Sequence, residues 1–430
     1  MWKLLRTDKR FRRLFIGETF SSFGDSAVYL SLAIWIKDLT GSDAAAGVVF
    51  LIITAPGLAA PLLGHWVDRV RRRPLLLRMY SVMAVLVLGL LFVGDSGDVW
   101  IIYLVTLAYG VLFATPARPA LLKDMLPSEN AAAARSLLIT VREGVRIVSP
   151  VAGAGVYTAF GGGALAVLGS ATFVVAALVL WSIKVVESEP EPAGEPFARS
   201  VTAGFRFVRA TPFLLRLAVS FVAFLAVVGL LETAVFAAVD QGLGQGPAFV
   251  GVIASLQGGG SVLGGILAGV VVRRAGEFRG SAVGYALISA GLVLCVWREM
   301  PLFILGAMLI GTGLPFLMVA LSTALHLYAP ARMQGRVNAA VSSVCDLFQT
   351  LSIAAGAALI GLIDYRIMYA LMGMTALMCA VSVLLRRIAP PQVAESVADD
   401  PGDGRLEAPA GPPRPPDPSD PADEELRPAR

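Results

Sequence analysis

A chain of 430 residues that is 56% hydrophobic and only 15% charged is too apolar to fold around one water-soluble core. Its net charge of +4 hides an acidic end, where ten acids stand against four arginines from Pro390 onward. The basic surplus of the rest lies in short loops beside apolar runs, which reads as membrane topology and excludes nucleic-acid binding.

A spanning helix needs roughly 20 mostly apolar residues to cross about 30 Å of hydrocarbon. Met1–Arg13 is basic and carries no cleavable leader, so residues 1–13 are expected as a cytoplasmic segment and the first helix as retained. Helix 1 is expected over Leu14–Ile36, helix 2 over Ala45–Trp66 and helix 3 over Leu75–Val93. Helices 4, 5 and 6 follow at Trp100–Ala117, Leu137–Phe160 and Ala164–Ile183, completing a six-helix bundle over 14–186. Residues 187–213 read as a polar cytoplasmic linker. A second bundle over 214–387 holds helix 7 (Leu214–Val239), helix 8 (Phe249–Val272) and helix 9 (Ala282–Trp297). It closes with helices 10, 11 and 12 at Leu302–Leu327, Val337–Ile363 and Met368–Leu385. Residues 388–430, rich in Pro, Asp and Glu, bury too little apolar area to fold and are expected as a disordered cytoplasmic tail.

With the N-terminus inside, the external loops keep only Lys37, Arg298 and Arg366, while Arg142 and Arg146 lie within helix 5. All other Lys and Arg fall on the cytoplasmic side, so both termini are expected in the cytoplasm of a bacterial inner membrane. The halves also repeat. Gly64-His-Trp-Val-Asp68-Arg69 joins helices 2 and 3, and Gly269-Val-Val-Val-Arg273-Arg274 joins helices 8 and 9, 205 residues later. Pro127-Ser-Glu-Asn precedes helix 5 and Pro330-Ala-Arg-Met precedes helix 11, 203 residues apart. Duplication of a six-helix unit predicts an all-α membrane protein of two pseudo-symmetric halves, with substrate bound between them near the midplane.

Gly64, Asp68, Arg69, Arg72 and Arg73 resemble the signature of the major facilitator superfamily between helices 2 and 3, with Arg71 where a second glycine is usual. The resemblance implies a cytoplasmic gate, to which Gly335 and Arg336 before helix 11 contribute. Further blocks are similar to the enterobactin-exporter and macrolide-efflux branch. They are Phe11-Arg-Arg-Leu14, Ser22-Phe-Gly24-Asp25, Pro116-Ala-Arg-Pro-Ala-Leu-Leu-Lys-Asp-Met-Leu-Pro127 and Arg146-Ile-Val-Ser-Pro150-Val-Ala-Gly153. Pro150 and Gly153 resemble the helix 5 bend associated with antiporters, with Ser149 where glycine is usual.

Seven charged residues fall beyond the first turn of the expected helices, each costing roughly 2.5–3.5 kcal/mol on insertion scales. Asp25 lies twelve residues past Arg13, about 18 Å along a helix and near the midplane. It is either a proton-coupling acid or a structural acid paired with an arginine. Asp346 in helix 11 and Glu232 in the outer third of helix 7 are the other proton-coupling candidates. Arg142 and Arg146, four residues apart, share one face of helix 5 and need anionic partners: Glu143, Asp25, Asp346 or an anionic substrate. Glu18, near the inner end of helix 1, reads mainly as solvated and otherwise as part of that charge network. Cys295, Cys345, Cys379 and the two histidines have no metal-ligand spacing, and no nucleotide-binding motif is present.

The resulting expectation is a secondary exporter of small organic molecules (a drug, antibiotic or siderophore-like natural product), driven by the proton gradient without a cofactor. The bilayer, the substrate and protons are its partners, and a monomer is the default. A facilitator or importer, or a non-transporting sensor or scaffold, remains the alternative. An intramembrane enzyme lacks a paired nucleophile and base in the helices.

Overall fold

A computed structural model of the chain describes residues 9–67, 69–115, 117–118, 121, 128–183 and 197–385. Those residues are helical or short connections, with no strand among them. Helix α1 runs from Lys9 to Thr40 and stops at Gly41, whose φ of 67° is open to glycine at little cost. Ser42 then caps the next helix, accepting from the Ala45 N–H at 3.2 Å, with Asp43 in the first turn. That helix, α2, comprises Asp43–Thr54, a 3-10 stretch Ala55–Ala59 around Pro56, and Ala60–Val67. Helix α3 covers Arg72–Leu88 with a 3-10 end at Gly89–Phe92, and α4 covers Val99–Ala114.

Ser128–Ser182 is one helical stretch interrupted at Gly161, where φ is 76°. Packing shows that the chain reverses there. Leu137 meets Phe11 and Gly153 meets Ala27, whereas Gly162 meets Trp35, Gly169 meets Val28 and Gly24 meets Thr172. The first arm, α5 (128–160), therefore runs parallel to α1, and the second, α6 (162–182), antiparallel. The second half repeats the scheme. It holds α7 (Pro212–Val228, Leu231–Ala237 and a π turn Ala238–Gly242), α8 (Phe249–Ala275), α9 (Glu277–Leu294), α10 (Met300–Tyr328), α11 (Gln334–Leu359) and α12 (Tyr365–Leu385). Gly276, at φ 85°, makes the tight α8–α9 join, and Pro212 opens α7 where its missing N–H is not needed.

Among the described residues, eight stretches are long and apolar enough to cross a bilayer, and one of them, Thr140–Ser182, holds parts of both α5 and α6. Adding charged α1, broken α2 and the shorter α9 makes twelve spans in two six-helix halves. Large apolar side chains such as Phe92, Leu362 and Phe160 coat the outside, while Tyr80, Tyr109 and Phe173 fill one bundle and Phe224, Tyr285 and Tyr369 the other. Exposed Trp100, Trp181 and Trp297 stand at helix ends, as interfacial anchors do.

Within 187–213, Phe197–Ala210 is an amphipathic helix, because Val201, Gly204, Phe205 and Val208 recur at helical spacing. Gly204 seats it directly against the Arg336 carbonyl and Ala340 of α11.

Candidate functional site

The face at which α1 begins is called the near face, and the opposite one the far face. At the far face the two halves meet. Lys37, at the end of α1, is only 6% exposed and places its ammonium 2.8 Å from Asp43 of its own half and 3.0 Å from Asp240 of the other. It also donates to the Gly41 carbonyl at 3.1 Å, so all three donors are used. The π turn at the end of α7 carries Asp240. Below this cluster Gly47 packs on Thr233, Phe50 lies 6.2 Å from Phe236 between ring centroids, and Gly251 rests on Pro150 and Ala154. Gly258 on Ile147 is the next contact between α8 and α5.

Toward the near face the halves part. A cavity of about 330 Å³ lies between Thr54 and Gly57 of α2, Phe113 of α4, and Asp346, Gln349 and Thr350 of α11. Asp346 is exposed to this space and makes no ion pair among the described residues. Glu232, at the break in α7, lies within electrostatic range of Arg146 and Tyr29, so α1, α5 and α7 bring one cation, one acid and one phenol together.

Inside the first half lies a second polar cluster. Asp25 is 5% exposed, on the same face of α1 as Ser21 and Glu18. Arg118, just past α4, reaches all three. Its Nη1 stands 3.5 Å from both Glu18 Oε1 and Asp25 Oδ2, Nη2 donates to Ser21 Oγ at 3.2 Å, and Nε donates to the Tyr80 hydroxyl at 3.0 Å. Ser21 in turn donates to Asp25 Oδ2 at 3.4 Å. Asp25 Oδ1 has no hydrogen-bond partner among the described residues. Two carboxylates thus share one guanidinium, and the cluster carries one excess negative charge when both are ionised. A small cavity of about 30 Å³ beside it, lined by Glu18, Ser21, Tyr80 and Arg118, has room and partners for a water molecule.

Of the partners expected for Arg142 and Arg146, the nearby acid is Glu143, at 4.0 and 3.8 Å, and not Asp25 or Asp346. Glu143 is adjacent to Arg142 in sequence and one turn from Arg146, and Arg118 already occupies Asp25. Glu18 is half-buried and ion-paired, not solvated. Arg118 is the residue that reasoning from sequence passed over. It sits in the Pro116-to-Pro127 block, between two prolines that end helix 4, and counts as one more basic loop residue until the fold turns it inward.

The gate residues lie at the near face. Gly64 is in the last turns of α2, and Asp68 lies outside the described residues. Arg69 is exposed, and Arg72 opens α3. Arg73 donates to the last carbonyls of α6, at 3.3 Å to Leu180 and 2.9 Å to Trp181, and Arg13 joins them at Ser182. Cations there complement both the orphan carbonyls and the negative end of the helix dipole. Gly335 has open space where a side chain would stand, and the Arg336 carbonyl is the seat of the linker helix. Pro150 cannot donate to the Arg146 carbonyl, freeing that oxygen at the level of the seam. One turn on, Gly153 lets the α5 backbone lie against Ala27 and Ser31 of α1. The described residues hold no cluster of metal-ligating side chains.

The family model described as Major Facilitator Superfamily matches residues 14–348 and, in a second match, 233–418. The chain belongs to the major facilitator superfamily. It is a membrane transporter of small solutes and not an enzyme. Solved structures share this major facilitator fold at low identity. A bacterial homologue of the iron transporter ferroportin in an inward-facing state is 14% identical, with a TM-score of 0.67 over 87% of this chain and 98% of that one. A point mutant of the nucleoside transporter NupG is 11% identical, with a TM-score of 0.69 over 87% and 99%. An auto-inhibited peptide transporter of the POT family is 13% identical, with a TM-score of 0.66 over 90% and 98%. At these identities the likeness is one of fold. No curated protein matches the chain.

Proposed function

We propose that this major facilitator is a proton-driven exporter of small organic molecules, working as a monomer in a bacterial inner membrane by alternating access. The near face is the cytoplasm, on which both termini lie, so the cavity between α2, α4 and α11 receives substrate from inside. The observation that carries the reading is the Asp25–Arg118–Glu18 cluster. Two acids around one cation have a natural capacity for one proton, and taking it up leaves a balanced ion pair.

Buried charge in the bundle is costly unless it is used or fully paired, and here it is one cation short. One proton moving down 100 mV supplies about 2.3 kcal/mol, enough for roughly a fiftyfold substrate gradient. The cluster lies within the first half and the substrate cavity between the halves, so proton and substrate need not compete for one spot. Coupling then runs through α1, whose far end carries Lys37 and whose middle carries Asp25. Asp346 lines the cavity and is proposed to contact an amphipathic substrate, with Arg146, Glu232, Arg142 and Glu143 as further polar contacts on its path.

The test is efflux of a substrate panel from a pump-deleted bacterial host, for wild type and Asp25→Asn, with and without a protonophore. Efflux that the protonophore stops, and that falls at least about tenfold in the variant, supports proton antiport through α1. Protonophore-sensitive efflux unchanged in Asp25→Asn removes Asp25 from the coupling step. Uptake in place of efflux overturns the direction.

A further inference from the structure

The inter-half cavity and the Asp25 cluster leave one site unused. On the outside of the second half a groove of about 230 Å³ runs between α7, α11 and the linker helix. Its lining is almost wholly apolar, with Leu215, Val222 and Ala226 on α7, Val344 and Phe348 on α11, and Phe205 on the linker helix. Successive helical residues turn by about 100°. Asp346 and Thr350 of α11 line the inter-half cavity, and on this spacing Ala340, Val344 and Phe348 point the opposite way. The groove is therefore a lateral site that faces the bilayer, separated from the substrate cavity by the thickness of α11.

Its dimensions match one leaflet. The lining of α7 extends from Leu215 to Ala226, eleven positions apart or about 16 Å of helix, against about 15 Å for half the hydrocarbon core. Its near-face end is covered by the linker helix, which carries no acidic residue. On that helix Phe205 and Val208 turn into the groove, and the exposed Arg209 and Arg206, about 40° and 100° round the helix from Phe205, flank it and make no ion pair among the described residues. An apolar slot one leaflet deep, closed at its mouth by two free guanidinium groups, fits an amphiphile with an acyl chain and an anionic head.

We infer that this groove is a binding site for one anionic phospholipid of the near leaflet, its acyl chain along α7 and α11 and its phosphate on Arg206 and Arg209. The lipid bridges the linker helix to α7 and α11, so it holds the linker to the second half as the halves move. This rests on the bilayer placement of the chain and not on the proposed substrate or coupling.

Native mass spectrometry of the full chain, extracted in detergent and incubated with equimolar phosphatidylglycerol and phosphatidylcholine, reads the site directly. The wild type is expected to retain one phosphatidylglycerol in preference. Replacing Arg206 and Arg209 together by Gln lowers that preference at least about fivefold. Ala223→Trp, which fills the slot, removes the retained lipid. Because a large residue on α7 can disturb folding, Phe348→Trp gives a second readout. Its fluorescence, relative to wild type, is quenched more by phosphatidylglycerol with brominated acyl chains than by the matching phosphatidylcholine. Equal retention of the two lipids, retention unchanged by the paired Arg substitutions, or a co-purifying small organic molecule in place of lipid would each overturn the assignment. None of these readouts involves efflux, so the result stands apart from the proton-antiport test.

Discussion

The two halves share a plan but not a core. Tyr80 on α3 and Tyr285 on α9 stand 205 residues apart, at the offset of the internal repeat, and both are buried. Tyr80 accepts from Arg118 and faces two carboxylates. Tyr285 donates to the Ser220 hydroxyl at 3.3 Å, beside Cys379, in a neutral setting. The packing around them differs in the same sense. Helices α9 and α10 close backbone to backbone, Gly284 on the Gly313 carbonyl and Gly291 on that of Gly306. Helices α3 and α4 touch only sparsely, and a water-sized cavity and the Arg118 cluster lie beside them. Close glycine packing is a stable arrangement within a bilayer, and charge in a bundle is not. Between these helices the second half is the denser, and the first carries the buried ion cluster with a small cavity beside it, which is why proton coupling is sought in the first half.

The contrast can be broken most severely at Arg118. Arg118→Ala leaves Asp25 and Glu18 without a cation and is expected to cost about 3 kcal/mol or more in thermal unfolding in detergent. Asp25→Asn added to it should recover part of that loss, since it removes one uncompensated charge. If the double variant is as unstable as the sum of the two singles, the three groups do not act as a unit. In the second half, Gly313→Ala sets a methyl against the Gly284 carbonyl and Ile288 and should cost about 1–3 kcal/mol. Gly265→Ala on α8, which meets open space, should be neutral or stabilising. The tyrosine pair sharpens the comparison further. Tyr80→Phe removes a bond from a charged donor and should cost about 2 kcal/mol, against about 1 kcal/mol for Tyr285→Phe. Equal costs would mean that Arg118 gains nothing from the phenol.

Most of the fold was legible because its signal is redundant. Twelve apolar runs, a positive-inside bias and two markers at one offset each lead to the same architecture. The site was legible only as a set of charges. Asp25 stands out because a carboxylate in an apolar helix is rare, but its partner could not be found by helical spacing. Arg118 lies 93 residues away, in a stretch whose own pattern says loop. Arg142 and Arg146 look like stronger candidates because they share a face, yet their nearest acid is Glu143 on the same helix, next to Arg142 and one turn from Arg146. Lys37 and Asp240 were equally hidden. Each reads alone as an ordinary charge at a helix end, and only the meeting of the halves pairs them.

That pair carries the smallest effect and says most about how the unlike halves move. Asp240 is 53% exposed, so its ion pair with Lys37 is worth about 1 kcal/mol or less. Lys37 and Asp43, 2.8 Å apart, both belong to the first half, so on the proposed alternating access Asp240 is the partner that would leave as the far face opens. Asp240→Asn should therefore loosen the far seam without unfolding either bundle. With the three native cysteines replaced and Thr233→Cys placed in the seam, labelling by a maleimide added from the far side should quicken by up to about fivefold. Raising ionic strength should speed the parent in the same direction, because half-exposed pairs are screened, and should do little to the Asn variant. If the parent and Asp240→Asn label alike at every salt concentration, the Lys37 cluster does not hold the seam. Gly47 on Thr233 and the Phe50–Phe236 contact would then be what keeps the two halves together.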